Sequence, residues 1–134
     1  MNVGTEVEIA IAHRLMDYKG KCASLHGHNY RIIVSALHPT DDPFIPGIGM
    51  LIDFKDLKFE LNRILDQFDH ATMLREDDPL QEHIASDEKC KLLLFPWNPT
   101  AENFAIYIQK ELHGVLPLTW TVRVYETSKS YAEV

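Results

Sequence analysis

An alternating run near the N-terminus restricts the fold more than any other feature of the chain. Residues 5–13 alternate apolar side chains, among them Ile9 and Ile11, with glutamate or alanine. A repeat of two residues is typical of a β-strand that buries one face. Residues 29–37 and 119–125 are rich in β-branched and aromatic side chains, so they are predicted to be two further strands.

Two later segments place their apolar residues on one helical face. Residues 54–68 follow Asp53 and residues 101–112 follow Thr100, and both preceding residues are favoured N-caps. Gly114 is predicted to end the second helix. The order strand, strand, helix, helix, strand predicts an α+β fold with both helices on one face of a small antiparallel sheet.

The length and the charge of the chain narrow the function classes. Its 134 residues are the size of one domain, so a single domain over residues 1–134 is expected. Thirteen Lys and Arg against twenty Asp and Glu give a net charge of −7, which argues against nucleic acid as a partner. Residues 75–91 are charged and show no periodicity, so they are predicted to be a surface excursion.

Neither a membrane nor an oxidising compartment is expected. The chain starts Met-Asn-Val-Gly without the basic and apolar regions of a signal peptide, and no apolar stretch approaches the ~18 residues of a membrane span. Cys22 and Cys90 are too few for a disulfide framework. The cytoplasm is therefore the expected compartment.

The pattern His26-Gly-His28 carries the strongest chemical signal. In an extended backbone these two imidazoles project from one face, and His13 at the end of the first strand could lie beside them in an antiparallel pair. Three neutral imidazoles suit a divalent metal such as zinc and leave its fourth position open, which is typical of catalytic sites. The alternative is a pair of surface histidines.

Two further groups could move protons. Cys22 lies four residues before His26, and a thiol near a metal can act as a base or nucleophile. It could instead be a fourth zinc ligand or a buried apolar residue. Asp69 beside His70 could orient the imidazole for proton transfer, or it could be an ordinary charge pair at a helix end.

Two segments could bind a ligand. Thr100 and Glu102 open the second helix, whose free N–H groups could hold a ligand, although helix capping also explains them. Glu126 and Thr127 end the late strand. A carboxylate there could pair with a flat donor edge of a heterocycle, or it could be solvated.

Together these pieces resemble the 6-pyruvoyl-tetrahydropterin synthase / 6-carboxy-tetrahydropterin synthase family. Six segments match in order along nearly the whole chain: residues 12–15 (AHRL), 22–30 (C-x-x-x-HGHNY), 49–54 (GMLIDF), 69–70 (DH), 98–103 (NPTAEN) and 126–127 (ET). The short spacing from the cysteine to the histidines is similar to the bacterial 6-carboxy enzyme of queuosine and deazapurine biosynthesis.

The resemblance implies a fold, an assembly and an activity. The fold is the tunnelling fold, and the assembly is a homohexamer of two stacked trimers with active sites between subunits. The activity is a zinc-dependent carbon–oxygen lyase that converts 7,8-dihydroneopterin triphosphate into 6-carboxy-5,6,7,8-tetrahydropterin, acetaldehyde and triphosphate. The alternatives are a pyruvoyl synthase and a non-catalytic pterin-binding protein.

The resemblance also assigns roles to single residues. It places zinc on three histidines, makes three residues proton-transfer groups, and makes Glu126 the anchor of the pterin ring, with help from the turn at the start of the second helix. The metal ligands are His13, His26 and His28; the proton-transfer groups are Cys22, Asp69 and His70; the substrate-binding residues are Glu126, Thr127, Thr100 and Glu102.

Overall fold

The computed structural model describes residues 1–40 and 42–134. The described chain contains six strands, three α-helices and one 3₁₀ turn. In chain order they are β1 (Asn2–His13), the 3₁₀ turn (Lys21–Ala23), β2 (His26–Leu37), α1 (Phe54–Leu65), β3 (Ala71–Arg75), α2 (Leu80–Ala85), β4 (Lys91–Phe95), α3 (Ala101–Val115), β5 (Thr119–Tyr125) and β6 (Tyr131–Glu133).

The strands form one sheet in the order β4-β3-β1-β2-β5-β6. β1 and β2 are antiparallel partners along their full lengths, from Asn2 opposite Leu37 to His13 opposite His26. β5 and β6 continue the antiparallel half. β3 runs parallel to both β1 and β4. The α+β class is confirmed, but the sheet is mixed rather than antiparallel.

The parallel strands come from the segment predicted to be a surface excursion. Residues 75–91 include the end of β3, the short helix α2 and the start of β4. A crossover of this length is what a parallel connection needs. Most of the segment is exposed, but Asp78 is fully buried, so the description as a surface excursion is wrong at that residue and at the two strands.

The core lies between the sheet and one pair of helices. α1 and α3 pack against each other and against the same face of the sheet, as predicted. Their buried residues include Leu57, Leu61, Phe104, Ile108 and Leu112, and the strands contribute Ile9, Ile11, Tyr30, Ile32 and Val34. The buried stripe of β1 continues directly into His13, which is 1% exposed. The core face of the sheet therefore leads into the candidate site.

Local signals set the helix starts better than the helix ends. Asp53 caps α1 by accepting a hydrogen bond from the Lys55 N–H, and Thr100 caps α3 by accepting from the Asn103 N–H. α1 ends at Leu65 rather than residue 68, and α3 continues one residue beyond Gly114. Within the described chain, every helix is too short or too polar to cross a membrane.

Candidate active site

Three histidines form a cluster at one end of the β1–β2 ladder. His13 lies directly opposite His26, and His28 lies one pleat further along the same face of β2. The ring centroids are 4.6 Å apart for His13 and His26, 5.2 Å for His13 and His28, and 4.8 Å for His26 and His28. One nitrogen from each ring lies within 4.8 Å of the others. The structure thus brings together the three predicted metal ligands.

Hydrogen bonds to main-chain carbonyls orient two of these rings. His13 Nδ1 lies 2.6 Å from the Pro99 carbonyl oxygen, and His26 Nδ1 lies 2.7 Å from the Ser24 carbonyl oxygen. A carbonyl oxygen only accepts, so each Nδ1 carries the proton and donates it. The Nε2 lone pair of each ring is then free to bind a metal, which is the usual arrangement of a histidine ligand.

The third ring contains an unsatisfied nitrogen. Nε2 of His28 is buried and has no hydrogen-bond partner among the described residues. A buried polar atom without a partner is costly, and a bound ion is one of its ordinary explanations. Burial also lowers the pKa of His28 and of His13, because it disfavours the charged form of the ring. Neutral imidazole is the form that binds a metal, so the donor set fits one.

Cys22 lies in the connection between the strands that carry the histidines. It sits in the 3₁₀ turn, is half-buried and is a free thiol. Its carbonyl accepts a hydrogen bond of 2.8 Å from the Leu15 N–H, which closes the connection onto itself. Among the described residues, the group of mutually close donor atoms contains the three histidines without Cys22. The geometry therefore gives no support to Cys22 as a fourth ligand.

Asp69 and His70 form the predicted pair, but on another side of β1. His70 Nδ1 lies 3.1 Å from Asp69 Oδ2, while Asp69 Oδ1 accepts from the Ala10 N–H at 3.0 Å. That main-chain donor is the main reason that the pKa of Asp69 lies below its usual range, and His70 adds to the effect. The ionised carboxylate can hold and orient the imidazole.

His70 faces away from the helices. Its side chain is 82% exposed, and it lines a depression of about 410 Å³ together with Ala10, Ala12 and Thr72. Ala10 and Ala12 alternate with the buried residues of β1, so this depression lies on the open face of the sheet. His28 also borders this depression, but the side chains of the histidine cluster continue the core stripes of β1 and β2. Within one chain, the His70 imidazole and the cluster therefore lie on different faces of the sheet.

Glu126 and Glu102 both line a small cavity of about 120 Å³ next to the first turn of α3. Glu126 and Thr127 also line a larger cleft of about 660 Å³ that reaches His28. The Thr100 hydroxyl caps α3, and the Thr127 hydroxyl accepts from the N–H groups of residues 129 and 130. The two carboxylates are thus the side chains here that are best placed for a ligand.

Tyr30 joins the two parts of the site and was not among the predicted functional residues. It is fully buried, and its hydroxyl lies 3.2 Å from Nδ1 and 3.3 Å from Nε2 of His13 and donates to Glu126 Oε1 at 3.3 Å. Burial, reinforced by Glu126, raises its pKa, so the hydroxyl keeps its proton. Its position in the sequence could have indicated this role, because Tyr30 follows His26 and His28 at intervals of two residues and so lies on the same face of the strand.

Comparisons with solved structures show the same fold. An uncharacterized protein from Wolinella succinogenes superposes with a TM-score of 0.82 at 20% identity, covering 100% of this chain and 97% of that one. The 6-pyruvoyl tetrahydropterin synthase of Caenorhabditis elegans superposes with a TM-score of 0.71 at 26% identity, covering 100% of this chain and 94% of that one. The predicted tunnelling fold is confirmed.

Sequence comparisons lead to the same family. The 6-carboxy-5,6,7,8-tetrahydropterin synthase of Rickettsia conorii is 32% identical over 136 residues, which cover 96% of this chain and 95% of that protein. Human 6-pyruvoyl tetrahydrobiopterin synthase is 33% identical over 116 residues, which cover 83% and 68%. The family model described as 6-pyruvoyl tetrahydropterin synthase matches residues 2–134. The chain therefore belongs to the 6-pyruvoyl tetrahydropterin synthase family.

Proposed function

We propose that this protein is a zinc-dependent 6-carboxy-5,6,7,8-tetrahydropterin synthase, a carbon–oxygen lyase of queuosine and deazapurine biosynthesis. Its substrates would be 7,8-dihydroneopterin triphosphate and one water molecule, and its products 6-carboxy-5,6,7,8-tetrahydropterin, acetaldehyde and triphosphate. The observation that carries the proposal is the cluster of three histidines beside two carboxylate-lined cavities. Since the substrate is a charged metabolite that does not cross membranes freely, we place the reaction in the cytoplasm.

The choice of the carboxy product rests on which relatives the chain matches from end to end. The Rickettsia conorii and Haemophilus influenzae proteins, both named 6-carboxy-5,6,7,8-tetrahydropterin synthase, are covered over 95% and 96% of their lengths. The human pyruvoyl enzyme is covered over 68% of its length. A pyruvoyl synthase remains the second candidate, because the family model and the Caenorhabditis elegans structure have that name.

His13, His26 and His28 would hold the zinc ion. Each offers one ring nitrogen to a common space, and carbonyl oxygens fix the orientation of two of the rings. Three protein ligands leave room for substrate oxygen atoms. When bound there, zinc supplies Lewis-acid polarisation of those oxygen atoms, which makes neighbouring C–H groups more acidic.

Other residues of the chain would bind the pterin and move protons. Glu126 is held by Tyr30 and opens into both cavities, so its carboxylate can accept two parallel hydrogen bonds from the N–H and NH₂ edge of the pterin. Cys22 would remove or return a proton at the side-chain carbons. Asp69 would orient His70 for the complementary transfer, since proton transfer needs a correctly directed acid or base.

We further propose that the active form is a homohexamer of two stacked trimers. In one chain, His70 lies on the open face of the sheet while the histidine cluster lies on the helix face. An assembly in which a neighbouring subunit presents its Asp69–His70 pair to the cluster would complete the site. This arrangement also explains why a proton-transfer pair would be 82% exposed at the histidine in the isolated chain.

One experiment tests the activity. The purified, zinc-loaded protein is incubated with 7,8-dihydroneopterin triphosphate, and metal content and products are measured on the same sample. The proposal predicts 6-carboxy product with stoichiometric acetaldehyde. A pyruvoyl product without carboxy product would establish the second candidate. Pterin binding without turnover would indicate a non-catalytic binding protein.

A further inference from the structure

Asn98 connects the segment after His13 to the start of α3. Its side-chain Nδ2 donates to the Met16 carbonyl at 2.9 Å, and its Oδ1 accepts from the Met16 N–H at 2.9 Å. Two hydrogen bonds in opposite directions use both ends of the amide, so they fix the orientation of the side chain as well as its position. Asn98 therefore holds the main chain three residues after His13.

The main chain of Asn98 is held from the other side. Its carbonyl accepts from the Thr100 N–H at 2.8 Å and from Asn103 Nδ2 at 3.0 Å. Both donors belong to the start of α3, because Thr100 is its N-cap. Asn98 thus bridges the β1–β2 connection and a helix that is packed into the core.

The residue that follows Asn98 contacts the histidine cluster. The carbonyl of Pro99 accepts from Nδ1 of His13 at 2.6 Å, and both residues are buried. This hydrogen bond keeps the proton on Nδ1 and leaves Nε2 free as a donor to a metal. The proline ring restricts the backbone, so the direction of the Pro99 carbonyl depends on how its two neighbours are held.

We propose that Asn98 is a positioning residue for the metal site, acting on His13 through the carbonyl of Pro99. Without the two bonds to Met16, the 98–100 segment can shift relative to β1, and the His13 ring loses its fixed tautomer and orientation. The inference rests on the proposed metal site. It differs from a purely structural role, in which Asn98 would stabilise the fold without affecting His13.

The test compares two variants with a matched control. Asn98→Ala removes both bonds to Met16, whereas Asn98→Asp keeps an acceptor and removes the donor. Asn62→Ala is the control, because Asn62 is exposed on α1 and its side chain makes no hydrogen bond within the described residues. Three quantities are measured: the ¹⁵N shifts of His13 in the metal-free protein, the zinc affinity by chelator competition, and the urea unfolding of the metal-free protein.

The expected results distinguish a positioning role of Asn98 from a purely structural one. Wild type and Asn62→Ala keep the Nδ1–H tautomer of His13, whereas Asn98→Ala shows mixed tautomers and binds zinc on the order of 10–100-fold more weakly. The zinc affinity and the tautomer mixture of Asn98→Asp should lie between those of wild type and Asn98→Ala. An unchanged tautomer with zinc affinity within about twofold of wild type would overturn the proposal, even if the variant unfolds more easily.

Two controls keep the test decisive. If Asn98→Ala does not fold, Asn98→Asp is judged on the same tautomer and affinity criteria. If wild type binds no zinc, the proposed function fails, and the His13 tautomer in the metal-free variants alone supports or overturns the role of Asn98.

Discussion

His13 and His26 face each other as direct partners across the β1–β2 ladder, with their ring centroids 4.6 Å apart. They are the last residue of one strand and the first of the next. The twelve-residue connection between them carries Cys22. An antiparallel pair thus places two candidate metal ligands side by side and keeps the candidate base close along the chain.

The first prediction concerns the metal. Replacing His13, His26 or His28 with Ala should strongly lower the amount of bound zinc, because a site with three protein ligands loses much of its zinc affinity when one ligand is removed. His83→Ala is the control, since His83 is exposed on α2. Zinc content per chain is measured by elemental analysis. Full zinc content in all three cluster variants would rule out the site.

The second prediction separates pterin binding from metal binding. Glu126→Gln should raise KM for the substrate while leaving zinc content unchanged, because Gln keeps the shape but replaces one acceptor with a donor. Glu111→Gln on the exposed side of α3 is the matched control. KM and zinc content are measured on the same preparations. Equal KM values for Glu126→Gln and wild type would contradict the pterin anchor.

The third prediction addresses the role of Cys22. Cys22→Ala should retain zinc and the oligomer but lose turnover, because general acid–base catalysis contributes about 10²–10⁴-fold. Cys90→Ala should behave as wild type, since Cys90 is exposed and lies in the loop before β4. Turnover is measured with zinc content and size-exclusion chromatography. Loss of zinc would indicate a fourth ligand, and full activity would exclude the proposed base.

The fourth prediction follows from the ion pair between Arg14 and Asp78. Arg14 Nε donates to Asp78 Oδ2 at 2.7 Å, its Nη2 bonds the other carboxylate oxygen, and Asp78 is fully buried. The Arg14 bond holds the pKa of Asp78 below its usual range. Asp78→Asn should therefore lower the free energy of unfolding at pH 7 by about 1.5–3 kcal/mol.

The direction of the Asp78 pKa shift determines how the stabilisation by this ion pair depends on pH. The folded pKa of Asp78 is lower than its unfolded value of about 3.9, so the stabilisation is complete above about pH 4. It disappears as the pH falls through the lower folded value. The difference between the urea midpoints of wild type and Asp78→Asn should be smaller at pH 3 than at pH 7. Asp77→Asn, at the exposed neighbouring carboxylate, should change stability much less.

The elements that the sequence predicted well are those specified by short-range patterns. β5 was predicted at its observed bounds, and the caps Asp53 and Thr100 act as predicted. A strand repeat or a cap depends on neighbours within a few residues, so it can be recognised locally. The His26-Gly-His28 pair belongs to this group, because strand alternation alone places both rings on one face.

The parallel strands could not be predicted in this way. β3 and β4 have five residues each, and the pattern of β4 shows no alternation. Their pairing with β1 is parallel and depends on a crossover, so it is decided by contacts between distant segments. The buried Asp78 was missed for the same reason, since its partner Arg14 is 64 residues away.

By itself, the sequence identified the candidate site residues: spacing and strand alternation pointed to the three histidines, and the family resemblance assigned roles to the Cys22 thiol and the Glu126 carboxylate. Only the tertiary structure decided how they relate to each other. It placed Asp69 and His70 on a different face from the histidine cluster, and it joined His13 to Glu126 through Tyr30. The physical reason is that side-chain direction within a strand is local, whereas contacts between strands and helices depend on the packing of the whole core.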